Sequence, residues 1–143
     1  MPMTVTGMEA VVASLELRGA NVEAAARKAV KAGAQLLAQR IAEAAPVYHG
    51  PPRKGVVPGE LRDSIKAGPV KEGGDGSYMS EVKPTGADAR GEDLARIGNV
   101  LEHGRSDMAP QPFFHSTAER SRAEVEETMR RVFEAEQAKA GGG

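Results

Sequence analysis

Between residues 22 and 45 apolar positions recur at Ala26, Val30, Ala34, Leu37 and Ile41, a spacing of three and four that lines one face of an α-helix. Alanine is the best helix former, so the segment predicts one amphipathic helix from Val22 to Ala45, about 35 Å long. Asn21 is placed to cap its first turn, and Arg27, Lys28, Lys31 and Arg40 fall mostly off the apolar stripe. Pro46 ends the helix, because the residue before a proline is pushed out of the helical region. A shorter helix is expected upstream over 8–18, with Met8, Val11, Val12 and Leu15 on one face.

The pattern then changes. Residues 46–60 hold four prolines and read as a loop, with Arg53 and Lys54 exposed. Residues 59–65 suggest one helical turn. Two strand-like runs follow, 65–71 and 77–83, joined by the turn residues 72–76 as a hairpin. In the second run Tyr78, Ser80 and Val82 share one face, and Met79, Glu81 and Lys83 the other. After another loop, Leu94, Ile97, Val100 and Leu101 give helical spacing, with Gly104 as a stop. Ser116 and Glu119 form a capping-box pattern ahead of a second long helix. Its stripe is Val125, Met129, Val132 and Glu136, widened by Phe133, with Glu124, Glu126, Glu127, Arg130 and Arg131 facing away. The expected fold is α+β: two long helices packed on a short antiparallel hairpin sheet, with extended loops. One domain spans 1–143, with 1–7 and 138–143 as flexible ends.

Composition narrows the chemistry. Only 3% of residues are aromatic, so the core is built from Ala, Val, Leu, Ile and Met. With no cysteine there is no disulfide or thiolate chemistry. The first ten residues lack the basic and apolar parts of a signal peptide, and no apolar run approaches the roughly 20 residues of a membrane helix. The expectation is a soluble, unexported chain, in keeping with a reducing compartment. The net charge of −1 is unevenly spread. Residues 1–71 carry ten basic and six acidic side chains, and residues 72–143 carry nine and fourteen. That split reads either as solvated faces or as opposite surfaces that attract between copies.

Catalytic patterns are missing. His49, His103 and His115 lie in unrelated loops without an H-E-x-x-H spacing, no serine sits in a G-x-S-x-G elbow, and the glycines at 73–76 precede no Lys-Ser or Lys-Thr. No catalytic, cofactor-binding or metal-binding residue is assigned, and the chain is expected not to be an enzyme. A minor rival is a hydrolase using His103 and Glu102. The main rival is a nucleic-acid-binding accessory protein using Arg27, Lys28, Lys31, Arg53 and Lys54.

The most unusual stretch is 97–116, which gathers two of three phenylalanines and two of three histidines. It contains Glu102-His103-Gly104-Arg105, then Met108-Ala109-Pro110-Gln111-Pro112-Phe113-Phe114. Upstream stand Ala45-Pro46-Val47 and Gly59-Glu60-Leu61-Arg62-Asp63-Ser64-Ile65. In this order the motifs resemble the tail-completion, or neck, proteins of long-tailed bacteriophages, small head–tail joining proteins often labelled tail components. The resemblance covers roughly 7–137. The chain departs from that pattern in its insertion between Val47 and Gly59, and in Ile97 and Val100 where aromatics are usual.

That resemblance implies a structural virion protein of the neck, working in a homo-oligomeric ring of six copies. The ring would lie between head-completion or stopper proteins and the tail terminator or tube, with genome DNA passing through the lumen and no membrane or cofactor involved. Candidate interface residues are Arg53, Lys54, Arg62, Glu102, Gly104, Arg105, Pro110, Pro112, Phe113 and Phe114. Two prolines stiffen the loop. In an extended segment the two rings point to opposite sides, so one could anchor in the core while the other meets a neighbour.

Overall fold

A computed structural model describes residues 3–6, 9–13, 20–47, 51, 57–73 and 77–141. The elements in chain order are β1 (Met3–Thr6), β2 (Glu9–Ala13), α1 (Ala20–Ala44), α2 (Glu60–Ser64) and β3 (Ile65–Ala67). β4 (Lys71–Glu72), β5 (Tyr78–Pro84), α3 (Leu94–His103) and α4 (Phe113–Gly141) complete the chain. The fold is α+β, with two long helices on an antiparallel sheet. His49, Arg53 and Lys54 lie outside the described residues.

The sheet runs β1-β2-β5-β3, and β4 pairs with the same side of β5 as β3 does. β3 and β4 are two parts of one edge strand. Ala67 opposes Val82 and Lys71 opposes Met79, so four steps on the edge face three on β5. The extra residue makes a bulge at 68–70, where Gly68 N donates to Glu81 O at 2.7 Å and Ser80 Oγ donates to Gly68 O at 2.9 Å. Pro69 fits there because a bulge needs no ladder N–H from it. The predicted hairpin is therefore present, and period-two alternation in β5 buries Tyr78, Ser80, Val82 and Pro84 while Lys83 is exposed.

The helix expected over 8–18 is not what forms: residues 9–13 are a strand, paired antiparallel with β1 on one side and β5 on the other. A short apolar run fits both periods, and the adjacent valines at 11 and 12 favour a strand once β5 offers a partner. Ala10 and Val12 point into the core with no exposure, and Val11 lies half-buried on the other face. Residues 3–6 are tied into the sheet, and α4 continues to Gly141.

α1 starts at Ala20, so Asn21 lies inside the helix instead of capping it. All five predicted stripe residues, Ala26, Val30, Ala34, Leu37 and Ile41, are fully buried. α1 packs on the sheet and against α4. Lys28 pairs with Glu136 and Arg40 with Glu124, and Gly33 lies against Met129, so the two helices run antiparallel. The alanines and Gly33 permit close approach, while Leu37, Ile41, Val125 and Met129 supply most of the apolar area. Each large side chain contributes about 1.5–3 kcal/mol on burial.

Candidate functional site

The 97–116 stretch becomes the junction between α3 and α4. Asp93 caps α3, its carboxylate accepting from Ala95 N at 3.0 Å. Leu94, Gly98 and Glu102 follow at four-residue steps on the buried face. Gly104 closes the helix with its N–H donating to Val100 O at 2.7 Å. Its φ of 72° and ψ of −172° belong to a region open essentially only to glycine. A Cβ there would also lie 2.7 Å from Met108 O and 2.8 Å from Pro110 N.

From Gly104 the chain forms a strap. Arg105 N donates to Met108 O at 3.0 Å and Met108 N returns to Arg105 O at 2.9 Å, closing a tight turn. Gln111 N donates to Leu101 O at 2.7 Å, pinning the strap to the last turn of α3. Glu102 then completes the attachment: its two carboxylate oxygens accept from Phe114 N at 2.8 Å and His115 N at 3.0 Å. The first amides of a helix have no partner within it and carry the positive end of the dipole, so a carboxylate is well matched to them. Glu102 is 3% exposed, and the pairing satisfies both the buried charge and the orphan donors.

This geometry corrects two expectations. Ser116 is not the cap of α4; the helix begins at Phe113, and Ser116 Oγ bonds back to Pro112 O within the first turn. Phe113 and Phe114 do not divide between core and neighbour. Both are buried in their own chain, at 6% and 0% exposure, meeting edge to face at 6.3 Å and 83°. Local alternation failed as a guide because the rings sit on a helix, where adjacent residues diverge by about 100° and both can reach a core wrapped around the helix start.

The other predicted residues are scattered. Arg105, Pro110 and Pro112 are exposed on the strap, with Arg105 paired to Asp107 at 3.0 Å. Arg62 lies on α2, paired to Asp63 at 2.9 Å; the hydrogen-bonded guanidinium holds that carboxyl below its ordinary value. Glu102 and His103 do not form a general-base pair, because both Glu102 oxygens are committed to backbone amides and His103 is exposed. No group of three or more metal-ligating side chains occurs among the described residues. No described helix is long and apolar enough to cross a membrane.

Arg27, Lys28 and Lys31 line one groove with residues 65–70. Arg27 pairs with Glu23 at 3.3 Å and lies 4.8 Å from the Tyr78 ring centre. Part of the charge difference between the two halves of the chain is met within the subunit. Lys28–Glu136 and Arg40–Glu124 bind a basic first-half residue to an acidic second-half residue inside one subunit. The missed element, the Glu102 cap, had one sequence signal: an acidic residue on an α-helical core face, before a glycine and a short proline strap.

Fold and junction together define a small α+β subunit in which the buried Glu102 and its hydrogen bonds hold two helices and a surface strap in place. Residues 9–104 match the family described as "Bacteriophage HK97-gp10, putative tail-component". The match covers more than half of the chain, which belongs to this family: it is a structural tail component of a bacteriophage, and so a virion protein. The matched region runs from β2 through Gly104 and includes Glu102. No curated protein and no solved structure matches the chain significantly.

Proposed function

We infer that this tail component works in the neck, as a tail-completion or head–tail joining subunit. In this reading identical copies form a ring, six by analogy with neighbouring neck rings. The ring stands between head-completion or stopper proteins and the tail terminator or tube, with genome DNA passing through its lumen. The observation that carries the reading is the clamped strap. Residues 105–112 are largely exposed, yet Gln111 is hydrogen-bonded to Leu101 of α3, and Glu102 ties α3 to the start of α4, so both ends of the strap are fixed. A loop already ordered by its own subunit loses little conformational freedom on docking, which favours a permanent joint. Ring closure needs two unlike complementary patches per subunit, and the strap supplies one.

The test is phage assembly with Pro110→Gly/Pro112→Gly or Arg105→Glu subunits, followed by electron microscopy. Folded variants should leave free heads and free tails accumulating unjoined. Normal yields of joined particles, or immunogold labelling at the distal tail tip, would remove the neck reading.

A further inference from the structure

Two surface depressions beside the β3–β4 edge share Lys66, which also borders a third, acidic one with Glu60, Asp63 and Asp88. On the α1 side is a groove of about 680 Å³, ringed by Arg27, Lys28, Lys31 and Lys66, with no carboxylate in its lining. Around the edge, on the face of the sheet away from α1, a smaller depression of about 130 Å³ adds Lys71 and Lys83 against the single acid Glu81. Six cations thus form one continuous band on a chain whose net charge is −1. We propose that this band is a contact surface for the phosphate backbone of duplex DNA.

Three observations point to an anionic polymer. Within the band Arg27, Lys28 and Lys83 have carboxylate partners, in Glu23, Glu136 and Glu81, while Lys31, Lys66 and Lys71 make no ion pair among the described residues. Lys66 and Lys83 are directly opposed across the β3–β5 ladder. Like charges about 5 Å apart at the backbone destabilise a sheet, so an anion lying across them relieves a repulsion built into the strand pair. Lys71 opposes Met79, four residues along β5 from Lys83, or about 13 Å away. Duplex DNA carries one charge per about 1.7 Å of axis, so that length of surface faces several phosphates.

A second copy of this chain fits the band poorly. Among described side chains, Glu72 is the one carboxylate with neither an ion pair nor a hydrogen bond; the acids of α2, α3 and α4 are already engaged. A row of lysines free of ion pairs matches the regular charge spacing of a polyanion better than the scattered, already paired acids of a second copy. Nothing in the band is shaped to read bases: Tyr78 is buried, and α1 lies alongside the groove with no end presented to it. The contact is to backbone, independent of sequence. This inference stands apart from the neck reading, since it concerns the isolated subunit and any duplex of sufficient length.

The experiment is a fluorescence-anisotropy titration of a labelled duplex of about 30 base pairs with the full chain, repeated across a series of NaCl concentrations. Saturable binding is expected at low salt, with log K falling against log salt at a slope of about −3 to −5. Lys31→Gln/Lys66→Gln/Lys71→Gln should lose tenfold or more in affinity and flatten the slope by about 2.7, which is about 0.9 per lost phosphate contact. A control with the same charge change elsewhere, Arg96→Gln/Arg120→Gln/Arg131→Gln, should bind within about twofold of the parent if local charge rather than net charge dominates. The joining assay above is read separately, so either result can fail alone. The proposal falls if the parent chain does not bind at low salt, or if both triple variants lose affinity equally. It also falls if the lysine triple variant keeps DNA binding but loses self-association, which would assign the band to a second copy.

Discussion

The carboxylate of Glu102, at the end of α3, accepts the backbone N–H of Phe114, in the first turn of α4, at 2.8 Å, and its second oxygen takes the next amide, of His115, at 3.0 Å. One buried side chain thereby fixes the angle between two helices and the path of the strap joining them. Glu102→Ala leaves two buried donors without a partner and should cost about 2–4 kcal/mol in urea unfolding. Glu102→Gln keeps one acceptor and should cost about half as much. A loss below about 0.5 kcal/mol for the alanine variant would mean that water or another group caps α4 equally well.

Phe114 is the largest fully buried side chain among the described residues. Phe114→Ala is expected to destabilise the subunit by about 3–5 kcal/mol through lost transfer energy and a residual cavity. Assembly should then fall only in proportion to the folded fraction, read by circular dichroism under the same conditions. Intact stability with abolished assembly would instead place this ring at a partner.

Two glycines with similar φ compare an open surrounding with a crowded one. Gly86 has φ of 76° with nothing within 4 Å of an added Cβ, whereas Gly104 has φ of 72° and a backbone oxygen 2.7 Å away. Gly86→Ala should cost about 1–2 kcal/mol from the left-handed backbone alone. Gly104→Ala should cost about 1–3 kcal/mol more, because Met108 O and Pro110 must also move. Equal melting shifts for the two would mean the strap yields without resistance.

The ion pair between Lys28 and Glu136 bridges α1 and α4 at 3.3 Å. The hydrogen bond from Lys28 holds the Glu136 carboxyl below its ordinary value of 4.5. A carboxyl depressed in the folded state stabilises above its unfolded pKa, and that contribution disappears as pH falls through the folded value. The parent should therefore exceed Lys28→Met in urea midpoint at pH 6, and the gap should close towards pH 3. A gap of constant size would trace the lysine's effect to packing of its stem.

The long helices were legible because their signal is repeated: five stripe residues of α1 and the alternation along β5 each report one face many times over. Pro46 and Gly104 marked ends for purely local, steric reasons. Residues 9–13 were not legible, since five residues with two valines satisfy either period and only the free side of β5 makes a strand the better choice. The candidate site divided in the same way. Arg105, Pro110 and Pro112, named as interface candidates, lie exposed on the strap, whereas Glu102 and the ring expected at a neighbour are buried in the subunit and hold it together.

By itself, then, the order of residues determined the two helices, the hairpin and the glycine–proline strap, because each depends on steric limits and periodicities within a few positions. Tertiary structure decided which amides Glu102 would cap, where the phenylalanines would lie, and which lysines would gather along the β3–β4 edge. Those outcomes depend on groups far apart in the chain, and no local periodicity records which distant partner removes a given side chain from water.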